Sequence, residues 1–178
     1  MDIVAFYRGE KPDYKGRPLE HILTFRHGEL EMCHDYIQVL FPLEEVSMFN
    51  AHAPILTEDN IKAFHNDELL RENLIRAFKV MLDFYGFSLE THYNGTRPYR
   101  PMYAIEVVPS DKYNERINVW CYLHDHNMRR ITRILKCLAT LGCKKHAIAF
   151  FNALSKLYNE RQNQIGETAF RFWREAIN

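Results

Sequence analysis

No stretch of this 178-residue chain approaches the ~18 uncharged apolar residues that a membrane-spanning helix requires, so a soluble protein is expected. The opening residues, Met1-Asp2-Ile3-Val4-Ala5-Phe6-Tyr7-Arg8, lack the basic region and long apolar run of a secretory signal. Net charge is also missing, because 23 Lys and Arg balance 23 Asp and Glu. A protein held to duplex nucleic acid by its overall field is usually basic, so that partner is disfavoured and only a local basic face is left to serve it. None of the cysteines forms a CxxC pair. Cys33, Cys121 and Cys137 sit in or beside apolar stretches, and with Cys143 they read as reduced thiols of a cytoplasmic compartment, not as a two-disulfide framework. The chain has no nucleophile elbow, phosphate-cradling glycine loop, paired-carboxylate signature or dinucleotide fingerprint. Nothing names a reaction, and no cofactor is implied.

What the chain does have is apolar surface. Hydrophobic residues make up 47% and aromatics 13%, enough to pack an interior and to exclude disorder as the default. The length suits one domain over residues 1–178, and no repeat or linker divides it.

Spacing then predicts a mainly α fold, a single-domain helical bundle with one irregular excursion at about 87–109. Gly9, Pro12, Gly16 and Pro18 mark an irregular lead-in, and Pro18 opens a short helix. One helix is predicted over 29–41 through Leu30, Cys33, Ile37, Leu40 and Phe41, stopped by Pro42. Thr57 caps the next, and a long helix over 67–85 stops at Gly86. Beyond Phe87 the helical period is lost; Asn94-Gly95, Pro98 and Pro101 punctuate it, with a short extended piece predicted at Tyr103–Val108. Further helices are predicted over 111–123, 127–141, 144–158 and 168–177. Ile131, Ile134, Leu135 and Leu138 form the inner stripe of the second of these, and Phe170, Trp173 and Ile177 of the last close over the bundle as a lid.

Several polar residues fall near these apolar stripes. His34, Asp35 and Gln38 share the 29–41 prediction and either line a polar pocket or satisfy buried groups. His126 and Asn127 open the 127–141 helix, where Asn127 is expected as its cap. His124, His126 and His34 are potential metal ligands, but no HExxH spacing or cysteine pair supports them, and no metal is assigned. Arg129, Arg133 and Lys136 are expected on an outward basic face, with Arg130 at the core edge as a structural anchor to a carboxylate such as Asp35 or Glu31. The ligand-binding candidates are therefore His34, Asp35, Gln38, His126, Asn127, Arg130 and Arg133.

Three passages carry a family resemblance. The first is Phe6-Tyr7-Arg8-Gly9 with Pro12-Asp13 and Gly16-Arg17. The second is Leu30-Glu31, then His34-Asp35-Tyr36-Ile37-Gln38-Val39-Leu40-Phe41-Pro42-Leu43, continuing to Leu56-Thr57. The third is His126-Asn127-Met128-Arg129-Arg130-Ile131-Thr132-Arg133-Ile134-Leu135. Together they resemble the conserved region of the opioid growth factor receptor family over nearly the whole chain. Two departures stand out: Val39 takes the place of the usual Trp, and Arg129 that of the usual Leu. The resemblance implies a region that precedes a long variable tail in vertebrate receptors for an enkephalin peptide, proteins associated with the nucleus and its envelope. Similar short stand-alone proteins occur in bacteria and fungi. The expected function is a non-enzymatic module for an unknown peptide, small anionic ligand or protein partner. An enzyme with a His/Arg cleft and a nucleic-acid accessory protein are the alternatives.

Overall fold

Ten helices and one two-stranded sheet account for the regular structure of residues 1–48, 50–93 and 103–178, which the computed structural model describes. The mainly α class predicted from spacing is the class adopted. Phe49 and residues 94–102, including the Asn94-Gly95, Pro98 and Pro101 punctuation, lie outside the described residues.

Helix α1 (Ile3–Tyr7) starts at Asp2, whose carboxylate accepts the Ala5 amide at 3.0 Å. In the lead-in that follows, Asp13 accepts the amides of Lys15 and Arg17 at 2.8 and 2.9 Å and Arg17 Nε at 2.7 Å, closing the turn. Helix α2 (Leu19–Leu23) begins after Pro18, as its fixed φ favours.

The helix predicted over 29–41 is two helices. α3 (His27–Met32) ends at Cys33, which turns to extended geometry at φ −84° and ψ 127°, and α4 (Tyr36–Leu40) resumes after Asp35. His34 therefore lies in the break, not one helical turn from Gln38. All five residues of α4 are buried, so this short piece owes its helicity to packing on every side and not to an amphipathic stripe.

α5 (Glu58–Asn66) has the expected Thr57 cap, made reciprocal by Asn60. α6 (Glu68–Tyr85) is capped by Asp67 and ends at Gly86 in the left-handed region, φ 88°. A side chain there would put Cβ 2.9 Å from Arg116 Cβ and 3.0 Å from Tyr113 Cα, so both backbone and space demand glycine.

The stretch predicted as an irregular excursion holds an antiparallel pair instead, β1 (Phe87–Tyr93) and β2 (Tyr103–Pro109), with Phe87 opposite Pro109, Leu89 opposite Val107 and Thr91 opposite Ile105. The extended piece expected at Tyr103–Val108 is β2. Phe87 and Val107 are buried while Glu90 and Glu106 face water, so the alternation of a half-buried ribbon supplies the order that a helical period does not. The ribbon lies on α6 and on α9 (Lys144–Ile165).

α7 (Tyr113–Trp120) and α8 (His126–Thr140) follow. The cap of α8 is Asp125, which accepts the Asn127 amide at 2.7 Å; Asn127, expected as the cap, lies inside the first turn and is fully buried. Helical structure runs past the predicted end at Tyr158 to Ile165, but with a kink at Arg161, whose φ −130° and ψ 35° are not helical, before it stops at Gly166. α10 (Glu167–Glu175) folds back on α8 and α9 as the lid expected. Phe170 stacks on Tyr158 with ring centroids 4.0 Å apart, and the buried Trp173 donates from Nε1 to the Met128 carbonyl at 3.0 Å.

One continuous apolar cluster joins α1 to α10. All four cysteines are free; burial raises the thiols of Cys121 and Cys143 to about 11 and that of Cys137 further. Among the described residues no helix is long and apolar enough to cross a membrane.

Candidate functional site

The last carbonyls of α3 have no helical partner beyond the break at Cys33 and need other donors, the contact at Leu30 O being buried and that at Cys33 O half-buried. α8 supplies these donors along a winding edge. Asn127 Nδ2 donates to Glu31 Oε2 at 3.4 Å, Arg130 to the carbonyls of Leu30 and Cys33 at 2.9 and 3.0 Å, and Arg133 to the Phe41 carbonyl at 3.0 Å. Lys136 completes the row by pairing with Glu45 at 2.9 Å. Arg133 is thus turned toward the 41–45 run and not presented on the outward face predicted, whereas Lys136 stays exposed in its pairing with Glu45. Burial in that seam depresses the Arg133 guanidinium below its ordinary value.

Arg130 is the anchor expected, but it holds backbone carbonyls in place of a carboxylate. Its guanidinium is 5% exposed and also reaches Asn127 Oδ1 at 3.3 Å and His34 Nδ1 at 3.4 Å, and lies 5.6 Å from the centre of the Tyr36 ring. A cation at a helix C-terminus answers both the unpaired oxygens and the negative end of the dipole. Asn127 Oδ1 accepts the Tyr85 hydroxyl at 3.4 Å as well, so its amide is shared among three elements.

Above this buried layer two imidazoles meet. The rings of His34 and His126 have centroids 5.2 Å apart at 63°. His126 Nε2 lies 3.3 Å from Glu31 Oε1, and its Nδ1 lies 3.9 Å from Asp125 Oδ2. Desolvation, and then the positive charge of Arg130, lower the His126 pKa from its ordinary 6.5, so the ring is neutral at pH 7. His34 is exposed and Glu31 half-buried, which leaves the outer edge of the cluster open to solvent.

Four of the seven predicted residues, His34, His126, Asn127 and Arg130, therefore converge. Asp35, Gln38 and Arg133 do not join them. Asp35 belongs to the lead-in, accepting Lys15 at 2.7 Å, Arg17 at 3.1 Å and the Tyr14 hydroxyl at 3.1 Å. Burial opposes its charge, but the hydrogen bonds from Lys15 and Arg17 outweigh that and hold its pKa at about 2. The Gln38 amide nitrogen, oriented as the two facing carbonyls require, donates to His34 O and Asp35 O at 2.9 Å each and so pins the break between α3 and α4. The sequence reading did not include Glu31 or Asp125 in the site. The Asp125-His126-Asn127 order, an acidic residue two before a helical amide, was the signal for the latter.

Arg130 and Asn127 fill the seam between the His34/Gln38 segment and α8, so no open groove for a ligand lies there, and the β1–β2 ribbon packs on α6 and α9. A cleft of about 280 Å³ opens instead between α8 and α10, lined by Leu123, Asp125, Met128, Arg129, Ile165 and Phe172 among others. Asp125 thus borders both the imidazole cluster and the cleft.

Residues 18–178 match the family model described as the opioid growth factor receptor (OGFr) conserved region. The chain is 40% identical to the opioid growth factor receptor of Rattus norvegicus over 149 residues, covering 80% of this chain and 23% of that protein. It is 38% identical to the Homo sapiens opioid growth factor receptor over 145 residues, 78% of this chain and 19% of the relative. It is also 38% identical to opioid growth factor receptor-like protein 1 of Xenopus tropicalis over 137 residues, 74% and 23% of the two chains. The chain spans about a fifth to a quarter of the length of these relatives. No solved structure matches it.

Proposed function

Because this chain belongs to the opioid growth factor receptor family, we propose that it is a non-enzymatic binding module whose α8–α10 cleft receives a short peptide. One observation carries this reading: the cleft sets the exposed apolar side chains of Leu123 and Phe172 beside the Asp125 carboxylate. Apolar lining with a few charged groups at its edge, here Asp125, Arg129 and Glu167, is the pattern that seats an aromatic or aliphatic side chain and orients neighbouring polar groups. The relatives are named as receptors of a growth factor, and the peptide class is carried from that name to the region shared with this chain. A small anionic ligand fits less well, since Glu31 and Asp125 face the cluster and the donors of Arg130 are occupied by carbonyls. An intracellular setting is part of the proposal, and the four free thiols support it.

One observation favours an acid–base enzyme: the 5.2 Å approach of two imidazoles is within catalytic reach. Against it, Arg130 is committed to Leu30 and Cys33 and cannot stabilise a developing anion.

Thermal denaturation with a panel of short peptides, an enkephalin among them, tests the binding reading in a chelator-containing buffer. A peptide at a hundred times its dissociation constant stabilises the native state by about 2.7 kcal/mol. The expected result is a rise in melting temperature that Phe172→Asp abolishes. Silence across the panel, or a rise indifferent to Phe172→Asp, counts against the cleft.

A further inference from the structure

The cluster beside the cleft has the make-up of a metal site that the sequence spacing did not disclose. One ligand-type atom each from Glu31, Asp125 and His126 lies within 4.8 Å of the others. Sequence order hides this, because Glu31 ends α3 and the other two open α8, almost a hundred residues later. From these three side chains we infer a binding site for a divalent zinc-type cation, ligated by Glu31, Asp125 and His126.

Three features of the cluster support it. His126 Nε2 is shut off from solvent and has no hydrogen-bond partner, although Glu31 Oε1 lies 3.3 Å away without hydrogen-bond geometry. A buried ring nitrogen without a partner is costly, and a cation between it and the carboxylate removes that cost. The 3.3 Å gap also equals the edge of a tetrahedron with bonds of about 2.0 Å, the length zinc takes to nitrogen and oxygen.

Each carboxylate, moreover, is held by one oxygen and leaves the other free. Glu31 Oε2 takes Asn127 Nδ2 at 3.4 Å, leaving Oε1 toward His126 Nε2; Asp125 Oδ1 accepts the Asn127 amide at 2.7 Å, leaving Oδ2 3.9 Å from His126 Nδ1, the other nitrogen of that ring. Outer hydrogen bonds that orient the ligands are what a metal site needs.

His34 has a different part. Its Nδ1 takes the Arg130 Nη2 donor at 3.4 Å, and the ring is not counted among the ligands. Two carboxylates and one imidazole leave at least one coordination position for a water or for a donor atom of another molecule. Glu31 Oε1 already lies 3.3 Å from His126 Nε2; the separations to Asp125, up to 4.8 Å, are wider than the roughly 4.2 Å that two bonds of about 2.1 Å can span, so the other two side chains and Asp125 have to close on one another slightly.

The test is calorimetric titration of the chelator-stripped full chain with ZnCl₂, without peptide, so that its outcome is separate from that of the cleft. MgCl₂ and CaCl₂ serve as parallel arms. Glu31→Gln and Asp125→Asn remove ligand charge with little change in shape, and asparagine preserves the helix cap. Circular dichroism melts without metal check that both variants fold. Cys33→Ser is the control for a stray thiolate, because Cys33 is half-buried next to His34. Expected are one equivalent of zinc, affinity at least about tenfold weaker in each carboxylate variant, unchanged affinity in Cys33→Ser, and a Co²⁺ spectrum without thiolate charge transfer. No binding, binding indifferent to both carboxylate variants, loss in Cys33→Ser, or equal affinity for magnesium or calcium would overturn the assignment.

Discussion

Replacing Arg130 by methionine tests whether the 30–45 run is held in place by α8. The substitution keeps length and apolar bulk but removes the donors that reach Leu30 O at 2.9 Å and Cys33 O at 3.0 Å. Each hydrogen bond to a charged group contributes about 1.5–3 kcal/mol; Leu30 O keeps the Tyr36 hydroxyl at 3.0 Å, whereas the half-buried Cys33 O loses its side-chain donor. Two such bonds, less some relaxation, give a loss of about 3–5 kcal/mol, a large share of the roughly 5–15 kcal/mol by which a domain is usually stable. For a chain of 178 residues that is a fall in melting temperature on the order of 10 °C. Urea denaturation followed by circular dichroism measures it, with Lys136→Met as the internal control. Lys136 belongs to the same edge of α8, but its pairing with Glu45 is exposed, so its loss costs at most about 1 kcal/mol. If the two variants lose equal stability, Arg130 is not the anchor described and the seam is held by apolar packing alone.

Two other perturbations follow from the geometry. Asp35 has its pKa depressed from 3.8 to about 2, so its ion pairs stabilise the fold fully above the unfolded value and are lost as pH falls through the folded one. Melting temperature measured from about pH 5 down to about pH 2 is therefore expected to fall less steeply for Asp35→Asn than for the natural chain; equal slopes refute the coupling. Gly86→Ala forces a side chain into φ 88° and against Arg116 and Tyr113, and is expected to cost roughly 2 kcal/mol or more in denaturant titration.

The parts of the fold legible in the sequence are those whose stabilisation is local. α5 and α6 announce themselves through Thr57, Asp67 and Gly86, residues that act on amides and carbonyls within their own turn. The division of 29–41 into α3 and α4 has no such local cause. Cys33 leaves the helix where Arg130, almost a hundred residues away, takes up the carbonyls, and Gln38 holds the turn from inside. The ribbon was half legible, since Tyr103–Val108 reads as extended, whereas the short alternation of β1 is easily lost beside the turn signals that follow it. In the site, His34, His126, Asn127 and Arg130 are named from the right runs, but Glu31 enters only as a possible structural partner of Arg130 and Asp125 not at all, because it is the fold that brings them together.

The same geometry separates two kinds of residue within the motifs that mark the family. Tyr36, Gln38, Asn127 and Arg130 are buried, and the polar atoms of the last three are directed at protein groups, chiefly the carbonyls around the break. A residue of that kind is required by any chain that folds this way, whatever it binds. His34, Glu31 and His126 retain exposed edges, and Asp125 reaches the cleft. On the binding reading proposed above, recognition draws on this second group, because a ligand competes poorly with carbonyls already held at 2.9–3.0 Å by Arg130. A relative that keeps the buried group and changes the exposed one should therefore keep this fold while changing its ligand. Changing Arg130 should destabilise the fold before it affects binding directly.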